Sequence, residues 1–114
     1  MDALNYQSCA ARTLIDRPDF KLTDEEIMIV WVTIGITGEA GELSEAVKHG
    51  IFHRHVLDLK NIQEELGDLI WYIAALCTKL NFSLSDIMEQ NIAKLKKRYP
   101  NGYNPEDSMR RIDE

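Results

Sequence analysis

The sequence predicts an all-α protein, a four-helix bundle formed by one domain over residues 1–114. Three observations carry this expectation. Apolar residues recur three and four apart through four segments, the spacing that lays a single stripe along an α-helix. Residues that favour helix starts stand at the openings of those segments, and no stretch makes a convincing strand. The connections are short, which suits neighbouring helices of a bundle.

The first helix is expected over about Asp2 to Leu14, ending near "DRPDF", where Pro18 disfavours helical geometry at Arg17. Thr23 opens the second. Thr23 followed three residues later by Glu26 matches the reciprocal capping pattern, and the helix should run to about His49 with Gly50 as its C-cap. The run "IMIVWVTIGIT" is rich in β-branched residues, but its continuity with the capped start favours a buried helix, apolar nearly all round. After the connection "IFHRHVLDLK", Asp58 or Asn61 can cap a third helix reaching about Leu80. The fourth opens at Ser83 or Ser85 and runs to Tyr99; Pro100, Gly102 and Pro105 then predict an irregular tail over about 100–114.

Composition narrows the function. A chain of 114 residues builds one core, and the longest apolar stretches fall short of the ~20 residues of a membrane span. "MDALNYQSCAARTL" lacks the basic start and apolar run of a secretory signal, so a cytoplasmic location and no membrane partner are expected. Cys9 and Cys77 sit among apolar residues at helical positions and read as small hydrophobes rather than a disulfide. A net charge of −6 argues against binding a nucleic-acid polymer.

Within the second helix, "GITGEAGELSEAVK" places Gly35, Gly38 and Gly41 at three-residue intervals beside Glu39, Glu42 and Glu45. Each helical glycine costs roughly 1 kcal/mol relative to alanine, a liability that packing or chemistry must offset. Residues three apart lie about 60° from each other around a helix, so Glu39 and Glu42 form a pair on the shoulder of the apolar line Ile36, Leu43, Val47. In the third helix, Glu65 and Asp68 occupy the same shoulder of the line Ile62, Leu66, Leu69, Ile73, Leu76, while Glu45 and Glu64 fall in solvated positions. Helices packed along these lines aim four carboxylates at one space, where they repel unless protonated or neutralised. Oxygen-only ligation favours a hard ion, Mg²⁺ or Mn²⁺. Solvated helix faces account for the same spacing.

These residues resemble the all-α nucleoside triphosphate pyrophosphohydrolases of the MazG type. That family's signature is two glutamates, two residues, a glutamate and, downstream, Glu-x-x-Asp; here Gly38 replaces the leading glutamate, Glu39 and Glu42 complete the first half, and Glu65 and Asp68 match the second. "ELGDLIWYIAALC" and "NIAKLKKRYPNGY" extend the likeness over about Gly35 to Tyr103. The resemblance implies metal-dependent hydrolysis of a nucleoside triphosphate to monophosphate and pyrophosphate, with Glu39, Glu42, Glu65 and Asp68 as metal ligands and catalytic acids. It also implies a homodimer or homotetramer, with the site completed near a subunit interface.

The fourth helix fits that reading. Its apolar line is Leu84, Ile87, Met88, Ile92, Leu95 and Tyr99, while Asn91, Lys94 and Arg98 share a shoulder, a cluster able to hold phosphate oxygens. Trp31, Trp71 and Tyr72 are expected in the core; stacking on a base is a lesser role for each, Trp71 and Tyr72 foremost. Asn5 and Gln7 on the first helix can read base edges, with capping or solvent contact as the equal alternative. Lys48 can bind phosphate or favour its helix terminus. His49, His53 and His55 lack the spaced cysteines of a zinc site, and no Glu-x-x-His supports a di-iron centre. The rival from another class is a non-catalytic helical interaction or oligomerisation module.

Overall fold

The computed structural model describes residues 1–14 and 21–110; the expected break at Arg17 and Pro18 lies outside the described residues. The Asp2 carboxylate accepts from Asn5 N at 2.8 Å and starts α1 (Ala3–Ala11). Thr23 makes the expected reciprocal cap: its hydroxyl accepts from Glu26 N at 3.1 Å and the Glu26 carboxylate accepts from Thr23 N at 3.0 Å. The bonds from Thr23 also hold Glu26 below the usual carboxylate range. This cap opens α2 (Asp24–Phe52).

α2 does not stop at Gly50. It continues one half-turn further, with His53 as C-cap, and the left-handed position of the turn falls on Arg54 (φ 57°). Gly50 serves close packing instead. A Cβ there would lie 2.3 Å from Leu57 Cδ2 and 3.2 Å from Leu57 Cα, so the returning chain presses directly on the helix. Asp58, rather than Asn61, caps α3 (Leu59–Leu80), accepting from Asn61 N at 3.1 Å. Asn81 ends α3 in the left-handed conformation at φ 58°. Ser83 caps α4 (Leu84–Arg98).

The tail is more ordered than the prolines suggest. Asn104 Oδ1 accepts from Glu106 N at 2.8 Å and Asp107 N at 3.3 Å, and Pro105, whose missing N–H costs nothing at a first helical position, opens α5 (Pro105–Arg110). Arg110 pairs with the buried Asp107.

The architecture is all-helical, with no strand among the described residues. α2 and α3 pack side by side as an antiparallel hairpin, the main helix–helix packing among the described residues. Val32 and Cys77 are the buried hydrophobic side chains among the described residues. Tyr72 lies against Gly35, where a Cβ would come within 2.3 Å of its ring, and Lys79 reaches Glu25 at 3.7 Å across the pair. The Cα radius of gyration is 20.6 Å, against about 13 Å for a compact chain of this size.

Two expectations about burial are corrected by this extended shape. Trp31 and Trp71 are 53% and 58% exposed, because the groove they line between α2 and α3 is uncovered. Cys9 is exposed, because α1 buries no residue. α2 is also long and apolar enough, by length and composition, to cross a membrane (29 residues, mean hydropathy 1.3 over its best window, 6% of it buried). Glycines and threonines interrupt its run of large apolar side chains without making it polar, so no unbroken apolar stretch marks it in the sequence.

Candidate active site

The α2–α3 hairpin sets the acids against one another. Helical spacing turns Glu39 and Glu42 toward α3, and the antiparallel return brings Glu65 opposite them. One carboxylate oxygen from each of Glu39, Glu42 and Glu65 lies within 4.8 Å of the others. Glu39 and Glu65 are half-buried and Glu42 is exposed. Asp68 is exposed, one turn along α3, and near enough for its charge to act on Glu65.

Glu39 Oε2 and Glu65 Oε2 are buried without a hydrogen-bond partner. Ionised carboxylates only accept, so these groups cannot satisfy one another while both carry charge. Protonated, Glu65 donates to Glu39. That bond comes first among the causes that hold the Glu65 carboxyl above its ordinary range; burial and the charges of Glu39 and Asp68 add to it, and a hydrogen bond with Glu42 opposes it. Either a proton or a cation relieves the cluster, and three converging hard oxygens with two orphaned buried acceptors fit a divalent cation.

The glycines flanking the acids divide into two kinds. Gly35 is packed by Tyr72, whereas a Cβ at Gly38 or Gly41 would meet nothing within 4 Å. The faces beside the acids are therefore open. From Glu42 and Glu65 a cavity of about 440 Å³ extends to the hairpin turn, lined further by Glu45, Ala46, His49, Gly50, Asp58 and Asn61 among others. In the sequence Asp58 and Asn61 stand as alternative caps of the third helix, and His49 lacks the spaced cysteines of a zinc site. Their shared cavity comes from the turn at Arg54, which helical periodicity does not encode.

The remaining sequence candidates lie apart from the acids. Asn91 and Lys94 are exposed on α4 and Arg98 is half-buried; among the described residues the main helix–helix packing is that of α2 with α3, and α4 takes no part in it. Lys48 pairs with Glu45 at 3.7 Å. Trp71 meets Tyr72 edge to face at 5.0 Å and lines a groove with Met28, Trp31, Val32 and Ala75 that shares no residue with the acid triad. The rings of His49 and His55 stack at 4.4 Å, with His53 at 5.6 Å from His49.

The model of the MazG nucleotide pyrophosphohydrolase domain matches residues 32–103, a span that takes in all four acids and the whole of α4. The chain belongs to this family. It is also similar to "Gene 37 protein" of Mycobacterium phage L5, at 35% identity over 103 residues, covering 85% of this chain and 88% of the phage protein. No solved structure matches. The MazG match supports the resemblance carried by the acid pattern and the all-α class.

Proposed function

We propose that this MazG-family protein hydrolyses a nucleoside triphosphate, deoxynucleoside triphosphates foremost, to the monophosphate and pyrophosphate. Glu39, Glu42, Glu65 and Asp68 would hold Mg²⁺, with Mn²⁺ as a substitute. The convergence of Glu39, Glu42 and Glu65 around two orphaned buried oxygens carries this reading. A bound divalent cation supplies charge neutralisation at the phosphates and lowers the pKa of a coordinated water. The chain's own carboxylates position the ion, and one of them takes the proton of the water that attacks phosphorus. The bond to the bridging oxygen breaks and pyrophosphate leaves.

Asn91, Lys94 and Arg98 are the phosphate-binding set in this proposal, supplied to the acids by α4 of a second copy. Support comes from the apolar stripe of α4, where Ile87, Met88, Ile92 and Leu95 are exposed, and from the exposed Trp31 and Trp71 on the hairpin. A homodimer or homotetramer covers both surfaces. The protein is proposed to act in the cytoplasm on free nucleotides.

The test is incubation with Mg²⁺ and each canonical deoxynucleoside and ribonucleoside triphosphate, with products separated chromatographically. Stoichiometric monophosphate and pyrophosphate are expected. A nucleoside diphosphate with orthophosphate, or no cleavage of any nucleotide, would overturn the proposal; in the second case the oligomerisation module takes its place.

A further inference from the structure

Cleavage between the α and β phosphates puts the α phosphate at the carboxylate cluster, so the nucleoside attached to it must occupy space continuous with that cluster. The cavity running from Glu42 and Glu65 to the hairpin turn is such a space. Its volume of about 440 Å³ falls within the range of small-molecule sites. The floor is apolar, made by Ala46 and Gly50, with Leu57 of the returning chain packed against Gly50.

The polar lining decides which end of a nucleotide enters. Glu45 and Asp58 are acidic, and no lysine or arginine among the described residues lines the cavity. A triphosphate tail is repelled there, so it extends the opposite way and leaves the cavity to the nucleoside. Glu45 is engaged by Lys48. Asp58 gives one oxygen to the Asn61 N–H that it caps, and a carboxylate has a second oxygen that only accepts. The Asn61 carboxamide, half-buried beside it, offers both a donor and an acceptor. The His49 ring forms a wall, held in place by stacking on His55 at 4.4 Å with 6° between planes.

We propose that this cavity is the nucleobase subsite and that it selects bases bearing an exocyclic amine, with Asp58 accepting from the amino group and Asn61 bonding the adjacent ring edge. The inference rests on the pyrophosphohydrolase reading for its orientation. Cytosine and adenine present an N–H donor to Asp58. Uracil and hypoxanthine present a carbonyl oxygen at the same position, which sets acceptor against acceptor.

Two substrate pairs isolate that difference: dCTP against dUTP, and dATP against dITP. Steady-state kcat/KM is measured for wild type, Asp58→Asn and Asn61→Ala, and equilibrium binding of dCMP and dUMP is measured by calorimetry. Asparagine is as good an N-cap as aspartate, so Asp58→Asn keeps the start of α3 while removing the obligate acceptor. Wild type should favour the amino member of each pair by about ten-fold or more, in keeping with a hydrogen bond to a charged group. In Asp58→Asn the preference should fall to within about two-fold, with an unchanged helical circular dichroism spectrum. Equal or reversed preference in wild type, or an undiminished ratio in Asp58→Asn, would overturn the assignment. If no triphosphate is cleaved, the hydrolase reading falls; the dCMP to dUMP binding ratio then decides the subsite by itself, and equal affinities overturn it.

Discussion

Replacing the three glycines of α2 one at a time by alanine separates packing from open space. In a helix interior the substitution is favourable by roughly 1 kcal/mol. At Gly35 the new Cβ would lie 2.3, 2.4 and 2.7 Å from three atoms of the Tyr72 ring, well inside the 3.4 Å at which ordinary contact begins, and a ring cannot yield as a flexible chain end does. Overpacking of this kind costs about 1–3 kcal/mol. The net for Gly35→Ala is therefore roughly zero to 2 kcal/mol of destabilisation, once the propensity gain is subtracted. At Gly38 and Gly41 nothing lies within 4 Å, and each alanine should stabilise the chain by up to about 1 kcal/mol. Urea denaturation at fixed protein concentration, followed by circular dichroism, reads all three. A Gly35→Ala variant as stable as Gly38→Ala would refute the reasoning. Destabilisation at Gly38 or Gly41 would mean that a second helix, not solvent, faces those positions.

Glu39→Gln, Glu42→Gln, Glu65→Gln and Asp68→Asn should each abolish most Mg²⁺-dependent pyrophosphate release while Glu64→Gln changes little; near-wild-type turnover in two of the four removes the site assignment. Glu65 carries a folded-state pKa raised above 4.5, so its stabilising contribution is complete below that value and is lost as pH rises through the raised one. Metal-free Glu65→Gln, which keeps an amide donor toward Glu39, should therefore gain stability over wild type at pH 7 and lose that advantage toward pH 4; an advantage independent of pH contradicts the proton-sharing geometry. Lys94→Ala and Arg98→Ala should lower kcat/KM by about ten- to hundred-fold each without weakening Mg²⁺ binding to the free protein, and Lys97→Ala serves as the comparison that should not. If Lys97→Ala is as damaging as Lys94→Ala with both proteins folded, the basic shoulder of α4 has been drawn on the wrong side.

Local physics made the helices legible. Thr23, Asp58 and Ser83 announce helix starts through side-chain oxygens placed before apolar periodicity, and each acts as a cap. Periodicity also sufficed to pair Glu39 with Glu42 and to aim α3 at them. It failed where the deciding contact is distant in sequence. Gly50 reads as a helix stop by itself and becomes a packing site only because Leu57 returns onto it. Trp31 and Trp71 read as core because aromatic residues on apolar helices normally are; among the described residues both stay more than half exposed. The cavity beside the acids was illegible for the same reason, since His49, Asp58 and Asn61 meet only through the turn at Arg54.

The antiparallel α2–α3 hairpin has a kinetic consequence. Every carboxylate of the cluster lies on two consecutive helices joined by the short turn over 53–58, so the contacts that assemble it are of low order in sequence. Such contacts form early, on the microsecond to millisecond scale of helical hairpins, whereas meeting a second chain is bimolecular and slows on dilution. The proposed cation capture and the proposed subunit encounter should thus separate in time during refolding. In stopped-flow experiments a Mg²⁺-sensitive phase with a rate independent of protein concentration should come first, followed by a second phase whose rate rises with concentration. A single phase, accelerated in proportion to protein concentration, would mean that the acids wait for the second chain before they come together.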